Sequence, residues 1–292
     1  MTRGPFMRAL TVISVLLCLP TSGCIQTIAT NTVGNIVYDG FPALAEEQDL
    51  DFAGRALPAN LKLLEVMLRS NPDNRELLIL LSQGYSSYAL GFVEDVDPAR
   101  ARLFYQRAID YATRLLRQND DLAKGLDGTL DDLKAGLARG GKDDVPAVFW
   151  AAFGWGGYIN LSLTDPDALA AIARTEAMMQ FVLAVDSGYY YGGAHVFLGS
   201  LDGSRPRMLG GDPERARRHF EAALGINGGR FLMTQVYFAR SVAVQTLDEE
   251  LFERLLGEVE SASIDILPEM RLANAIAKQK AKILRGRKAD LF

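Results

Sequence analysis

From about Pro42 onward, apolar residues recur three and four positions apart along nearly the whole chain, with Ala and Leu the most frequent types. This spacing places them on one face of a helix, as it does for Leu61, Leu64 and Leu68. The alternation expected of a half-buried strand is almost absent. The pattern predicts an all-α protein of about ten or eleven helices with short connections.

Helix boundaries are marked by residues that suit helix ends. An Asp that can cap a helix stands directly before a Pro that suits its first turn at three places: Asp97-Pro98, Asp165-Pro166 and Asp212-Pro213. Pro58 predicts the start of an earlier helix, and Gly228 the end of a later one.

The chain also matches itself at an offset of 115 residues. The matched positions include Gly84 with Gly199, Ala101 with Ala216, Tyr105 with Phe220, and Ala108 with Ala223. The pattern A-x-x-x-[FY]-x-x-A is that of the second helix of a tetratricopeptide (TPR) unit, in which small residues let two helices approach and an aromatic ring fills the gap. We predict a TPR-like array of helical hairpins, an α-solenoid or superhelical bundle. The alternative is a helical bundle with coincidental Ala spacing.

The N-terminus has the features of an export signal. Arg3 and Arg8 precede an apolar run over 9–19 that is too short to span a bilayer as a helix. Cys24 follows two small residues, which resembles a bacterial lipoprotein box, although Thr21 stands where such boxes usually carry Leu. We expect Cys24 to be the lipid attachment site, with plain cleavage or an uncleaved anchor as alternatives.

These features predict a domain order. Residues 1–23 form a lipoprotein signal peptide, 24–41 a lipid tether and lead-in, 42–286 a single TPR-like helical domain, and 287–292 a C-terminal tail. The lipoprotein resemblance implies the periplasmic side of a bacterial membrane. The outer membrane is favoured because Ile25, and not Asp, follows the cysteine.

Composition and the absence of known motifs limit the partners and reactions that we expect for this chain. A formal charge of -5 argues against a nucleic-acid partner, which needs clustered Lys and Arg. Nucleotide-binding, serine-hydrolase and zinc-protease motifs are missing. With two His and two Cys in the chain, a His-rich zinc site within one chain is not expected. We therefore expect a binding protein without metal, cofactor or catalytic residues, with His195 in the core and His219 on a solvated face.

Charged clusters have simple structural interpretations. Acidic doublets are expected to cap helix starts rather than to catalyse: Asp120-Asp121, Asp131-Asp132, Asp143-Asp144 and Glu249-Glu250. The basic residues near the C-terminus, among them Lys278, Lys280, Lys282 and Arg285, are expected to form a solvated helix end.

Aromatic and arginine residues supply the candidate ligand channel or groove: Trp150, Trp155, Tyr158, Tyr189, Tyr190, Arg205 and Arg207. For the segment around Trp150 the alternative is core packing. For the Tyr-Tyr-Tyr-Gly-Gly segment it is a hinge between helices. For the two arginines it is a solvated loop.

Five segments in matching order, 57–65, 149–160, 209–224, 231–236 and 248–252, resemble the TatT family, the T component associated with tripartite ATP-independent periplasmic (TRAP) transporters. The resemblance runs from about residue 40 to 275, and 209–224 is its most specific part. The family has no catalytic motif to carry over.

The resemblance implies a lipid-anchored periplasmic protein of TPR-like hairpins, a homotrimer with a channel or cleft in each subunit. It also implies the periplasmic substrate-binding (P) component as partner, and apolar or amphipathic organic anions as ligands. The alternative is a TPR-type lipoprotein that serves as a scaffold in envelope assembly and has no small-molecule ligand.

Overall fold

The computed structural model describes Gly40 and residues 42–292. The predicted signal peptide and the lipid attachment at Cys24 lie outside the described residues. Within 42–292 every regular element is a helix and none is a strand, which confirms the all-α prediction.

The first half contains α1 Pro42–Ala45, α2 Leu50–Ser70, α3 Arg75–Tyr88, α4 Pro98–Leu116, α5 Asp120–Asp127, α6 Leu130–Leu137 and α7 Val145–Asn160. The second half contains α8 Pro166–Ala170, α9 Ile172–Val185, α10 Tyr189–Gly203, α11 Pro213–Asn227, α12 Met233–Phe238, α13 Val244–Thr246, α14 Glu249–Ser261, α15 Arg271–Gly286 and α16 Lys288–Leu291. Helix α3 continues into a π-helix, π1 (Ala89–Val93), and a second one, π2 (Ala239–Ala243), joins α12 to α13.

Most predicted helix ends are confirmed. The side chains of Asp97, Asp165 and Asp212 accept backbone N–H groups at the starts of α4, α8 and α11. Gly228 ends α11 with a left-handed φ of 61°. The acidic doublets at 120–121, 131–132 and 249–250 lie in the first turns of α5, α6 and α14. The pair at 143–144 lies in a short 3-10 turn before α7.

The predicted start at Pro58 is wrong. Helix α2 begins at Leu50, where the Asp49 carboxylate accepts the N–H groups of Asp51 and Phe52, and Pro58 lies inside the helix. An interior proline removes one helix hydrogen bond. The buried face that includes Leu57 and Leu61 holds the helix together across it.

The domain contains two apolar cores. The first is built mainly by α2 to α7 and α9 around fully buried Phe149 and Trp150. The second is built mainly by α11 to α15 around Phe220 and Phe252. Helix α10 contributes to both, because Leu198 packs in the first core and Val196 in the second.

The positions matched at the 115-residue offset occupy these cores. Ala101, Tyr105, Ala108, Ala216, Phe220 and Ala223 are all buried. The two glycines meet different neighbours: a Cβ at Gly199 would lie 3.0 Å from the Phe220 ring, whereas one at Gly84 would lie 2.5 Å from Leu61. The TPR-like description of the array stays a prediction.

One helical segment within the described residues, Pro166–Val185, is long and apolar enough to cross a membrane. It comprises α8 and α9, and Met178, Met179 and Val182 on it pack in the first core. A core helix passes the same test of length and composition, so the segment is weak evidence for a span.

The C-terminus packs onto the second core. Residues 288–291 form α16, and the Phe292 ring lies 5.1 Å from the Phe252 ring, edge to face.

A buried ion pair joins the two halves. The Lys280 Nζ atom on α15 lies 2.8 Å from Glu94 Oε1, directly after π1, and 2.6 Å from Asp95 Oδ2. The Tyr105 hydroxyl donates to the other Glu94 oxygen at 2.7 Å. The expectation that Lys280 belongs to a solvated helix end is therefore wrong. Gly91 allows this close approach, since a Cβ there would lie 2.6 Å from Ile276 on α15.

Replacing Lys280 with Met should destabilise the protein by about 3 to 5 kcal/mol, because the Glu94 carboxylate then stays buried without its cation. Urea denaturation of the wild type and the variant measures the difference. The matched control is Lys282→Met, at an exposed position on the same helix, which should change stability by less than about 0.5 kcal/mol. Equal effects of the two substitutions would contradict the assignment.

Candidate functional site

An internal cavity of about 300 Å³ lies between the two cores. Its walls come from α3 and π1, α4, α7, α9, α10, α12 and π2, and α15. Tyr105, Phe149 and Phe231 line it and are almost fully buried. The exposed lining residues mark its mouth: Asn160, Leu163, Ser204 and Arg240. The volume is at the lower end of the range of small-molecule sites, about 300 to 1,000 Å³.

Glycines let aromatic rings form the cavity wall. A Cβ at Gly156 would lie 2.3 Å from the Phe197 ring, and one at Gly157 would lie 2.3 Å from the Tyr105 ring. Glycines within a helix cost about 0.5 to 1 kcal/mol each relative to Ala. The close ring packing accounts for their presence in α7.

Both π-helices border the cavity. Ser87, Leu90 and Glu94 line it along α3 and π1, and Tyr237, Arg240 and Ser241 line it along α12 and π2. A π-helix inserts one extra residue into a helical turn, and such insertions are frequent at functional sites. Sequence reasoning missed both π-helices, because an inserted residue weakens the periodicity that predicts a helix. It also missed Arg240, because a single arginine in a helix is typical of a solvated face.

The two arginines of the cavity differ in their partners. Arg205 Nε donates to the Leu201 carbonyl at 2.9 Å, and its guanidinium lies 3.7 Å from Asp202. Asp202 is also held by Arg215, at 2.6 Å through each oxygen. Arg240 forms no ion pair within the described part of the chain. The mouth therefore contains one cation without a carboxylate partner there.

The cavity tyrosines are neutral hydrogen-bonding groups. Burial, and then the Glu94 charge, raise the pKa of Tyr105 well above its ordinary value. Burial and Glu94 likewise raise the pKa of Tyr237, and burial with its neighbours Tyr189 and Tyr191 raises that of Tyr190. The phenols thus stay protonated at physiological pH.

The Tyr-Tyr-Tyr-Gly segment is both a kink and a cavity wall. Tyr190, Tyr191 and Gly192 have left-handed φ angles of 47°, 60° and 81°. This conformation is unfavourable for tyrosine, so surrounding contacts must hold it. The Tyr190 ring packs edge to face on Trp150 at 4.9 Å, and the Tyr191 ring stacks on Phe231 at 5.3 Å. Tyr190 thus lies at a kink and also lines the cavity, and the hinge and groove-wall interpretations both stay predictions.

The structure brings only two of the seven candidate channel residues, Tyr190 and Arg205, to this cavity. Trp150 is buried in the core behind it. The rings of Trp155 and Tyr158 pack against each other at 5.9 Å, and the Tyr158 hydroxyl lies 3.3 Å from Asp165. Arg207 is exposed in a 3-10 turn. A stretch of aromatic residues on one helix points in several directions, so they cannot all face one cavity.

Tyr189 lines a second depression, wider and of about 650 Å³. Its two cationic residues have partners nearby: Lys142 lies 3.8 Å from Asp186, and Arg75 donates to the Asp143 carbonyl. Because it is more open and more polar than the cavity between the cores, it is a weaker ligand site.

The two histidines of the chain form a pair. His195 Nδ1 lies 2.9 Å from His219 Nδ1, and both rings are half-buried. The expectation that His219 faces solvent is wrong, because the packing of α10 against α11 turns it inward toward His195. Within the residues the structure describes, no cluster of three or more His, Cys, Asp or Glu side chains could hold a metal.

The described residues thus form an all-α domain with an apolar cavity and a cationic mouth. The sequence profile of the TRAP transporter T-component family (TatT) matches residues 46–292, and the chain belongs to this family. Membership associates it with TRAP transport systems. No protein of curated function matches the chain.

The histidine pair predicts a loss of stability at mildly acidic pH. Burial lowers the pKa of both rings. The neighbouring His219 ring lowers the pKa of His195 further. At His219, the Asp202 charge raises the pKa, whereas the Arg215 and Arg218 charges lower it. The contribution of the histidine pair to the free energy of unfolding is fully present above the ordinary histidine pKa of about 6.5. It is lost as the pH falls through the lowered values, because two protonated Nδ1 atoms cannot share a hydrogen bond.

Urea denaturation at a series of pH values measures this effect. The variant His195→Gln/His219→Gln contains no histidine and should show a flatter stability profile between about pH 5 and 7 than the wild type. Parallel profiles would show that the pair contributes nothing.

Proposed function

We propose that the protein is a non-enzymatic binding subunit of a TRAP-type transport system, anchored by a lipid at Cys24 and facing the periplasm. It engages the periplasmic substrate-binding component and holds or passes an apolar or amphipathic ligand. The observation that carries the ligand-binding part is the cavity between the two cores, which is lined largely by aromatic and aliphatic side chains. Family membership supports the transport part.

The charges of the cavity support binding rather than catalysis. Glu94, the carboxylate that lines it, is already held by Lys280 and Tyr105. General acid/base chemistry needs a titratable group that is free to exchange a proton with a substrate. The apolar wall favours a ligand with a hydrophobic body.

Lipid anchoring, the outer membrane and a homotrimer are further parts of the proposal. They rest on the sequence around Cys24 and on the family resemblance. Acyl chains on Cys24 would hold the helical domain at the membrane, where a partner in the periplasm can reach it.

The partner proposal predicts the outcome of an affinity capture. The full chain, captured from cell envelopes, should enrich a TRAP substrate-binding protein over an unrelated lipoprotein used as bait. Quantitative mass spectrometry measures the enrichment. Enrichment of outer-membrane assembly factors alone would contradict the transport role and favour an assembly scaffold.

The ligand proposal predicts the effect of filling the cavity. Ser200 lines it and donates its hydroxyl to the Val196 carbonyl. The substitution Ser200→Phe should place a ring in the cavity and weaken binding of dodecanoate by about tenfold or more, as measured by calorimetry below micelle-forming concentrations. Ser261→Phe is the matched control, because exposed Ser261 makes the same kind of bond to Gly257 away from the cavity. Equal affinities in both variants would contradict the proposed site.

A further inference from the structure

The two cavity arginines lie at the same end. Gly203 and Ser241 are neighbours, since a Cβ at Gly203 would lie 3.1 Å from the Ser241 Cβ. Arg205 follows Gly203 by two residues, and Arg240 directly precedes Ser241. Both arginines line the cavity, and Arg240 is exposed at its mouth. The mouth is therefore cationic.

The opposite end of the cavity is aromatic. Met233 precedes Arg240 by seven residues, which is about 10 Å along a helix. Phe231, next to that end of α12, has its ring 5.9 Å from the Tyr190 ring, and Tyr190 lies 5.6 Å from Phe149. An occupant is thus exposed to cations at one end and to aromatic rings at the other.

The charges near the mouth leave one cation available. Arg205 shares Asp202 with Arg215, which holds both carboxylate oxygens. Glu94 is saturated by Lys280 and Tyr105. Arg240 has no carboxylate partner within the described residues. An arginine without a partner at the mouth of an apolar cavity suits the single negative charge of a ligand headgroup.

The second π-helix, π2, contains Arg240. Met233 and Tyr237 line the cavity with a spacing of four, and both Arg240 and Ser241 follow on the same side. In π2 the N–H of Val244 bonds to the Ala239 carbonyl, five residues back. Positions i, i+4, i+7 and i+8 share one face of a helix, so a charged and a hydroxylic residue face the cavity together at 240 and 241.

We infer that Arg240 is the headgroup-binding residue of the cavity and that it selects monoanionic amphipathic ligands. The carboxylate lies at the mouth against Arg240, with Arg205 and Ser204 beside it, and the apolar chain extends toward Phe149, Tyr190 and Phe231. This inference rests on the proposed ligand-binding function and adds the orientation of the ligand and its charge.

The test compares dodecanoate with dodecanol, which has the same chain and no charge. Calorimetry of the wild type and Arg240→Gln should show dodecanoate affinity lowered about tenfold or more and dodecanol affinity unchanged within about twofold. Arg240→Lys keeps the charge and should restore part of the dodecanoate affinity. Arg218→Gln, at an exposed position outside the cavity, should change neither.

The outcomes separate the two claims. If the wild type binds neither probe, the proposed ligand site itself is wrong. If it binds both, and Arg240→Gln weakens both equally or neither, the cavity binds ligands but Arg240 does not select their charge. Circular dichroism of each variant checks that the helical fold is kept.

Discussion

The ion pair of Lys280 with Glu94 is the interaction on which the rest of the structure depends. It joins side chains 186 residues apart in sequence, with Tyr105 holding the second carboxylate oxygen of Glu94. Each core is built mostly from its own half of the chain, and this ion pair is a buried polar contact between the halves. A buried pair costs much free energy unless both charges are partnered, which makes one relative placement of the halves strongly preferred.

The cavity follows from this placement. Two cores held together at a polar contact, and bridged by α10, leave a space that neither fills, and aromatic residues from both sides line it. Gly156, Gly157 and Gly193 make room for these rings, while the left-handed turn at Tyr190 aims one of them inward. Glu94, directly after π1, and Arg240 and Ser241 in π2 add polar groups to the cavity lining. An apolar space with a cationic mouth is the feature on which the proposed binding of an amphipathic anion rests.

Sequence patterns predicted the features that depend on near neighbours. The spacing of apolar residues predicted the all-α class, and capping residues such as Asp97 predicted most helix ends. Both signals depend on residues within about one helical turn of each other. The five segments in matching order indicated the TatT family, which the family profile confirms. Patterns failed where distant residues meet. Lys280 and His219 were predicted to be solvated, although each has a partner on another element of the fold. Arg240 gave no signal, because a single arginine in a helix is typical of a solvated face.

The most direct measurement is a crystal structure of the protein with a dodecanoate that carries bromine at the end of its chain, located by the anomalous scattering of the bromine. We expect one bromine peak among Phe149, Tyr190 and Phe231, with the carboxylate density against Arg240. A peak at the mouth beside Arg240, or bromine bound only outside the cavity, would contradict this expectation.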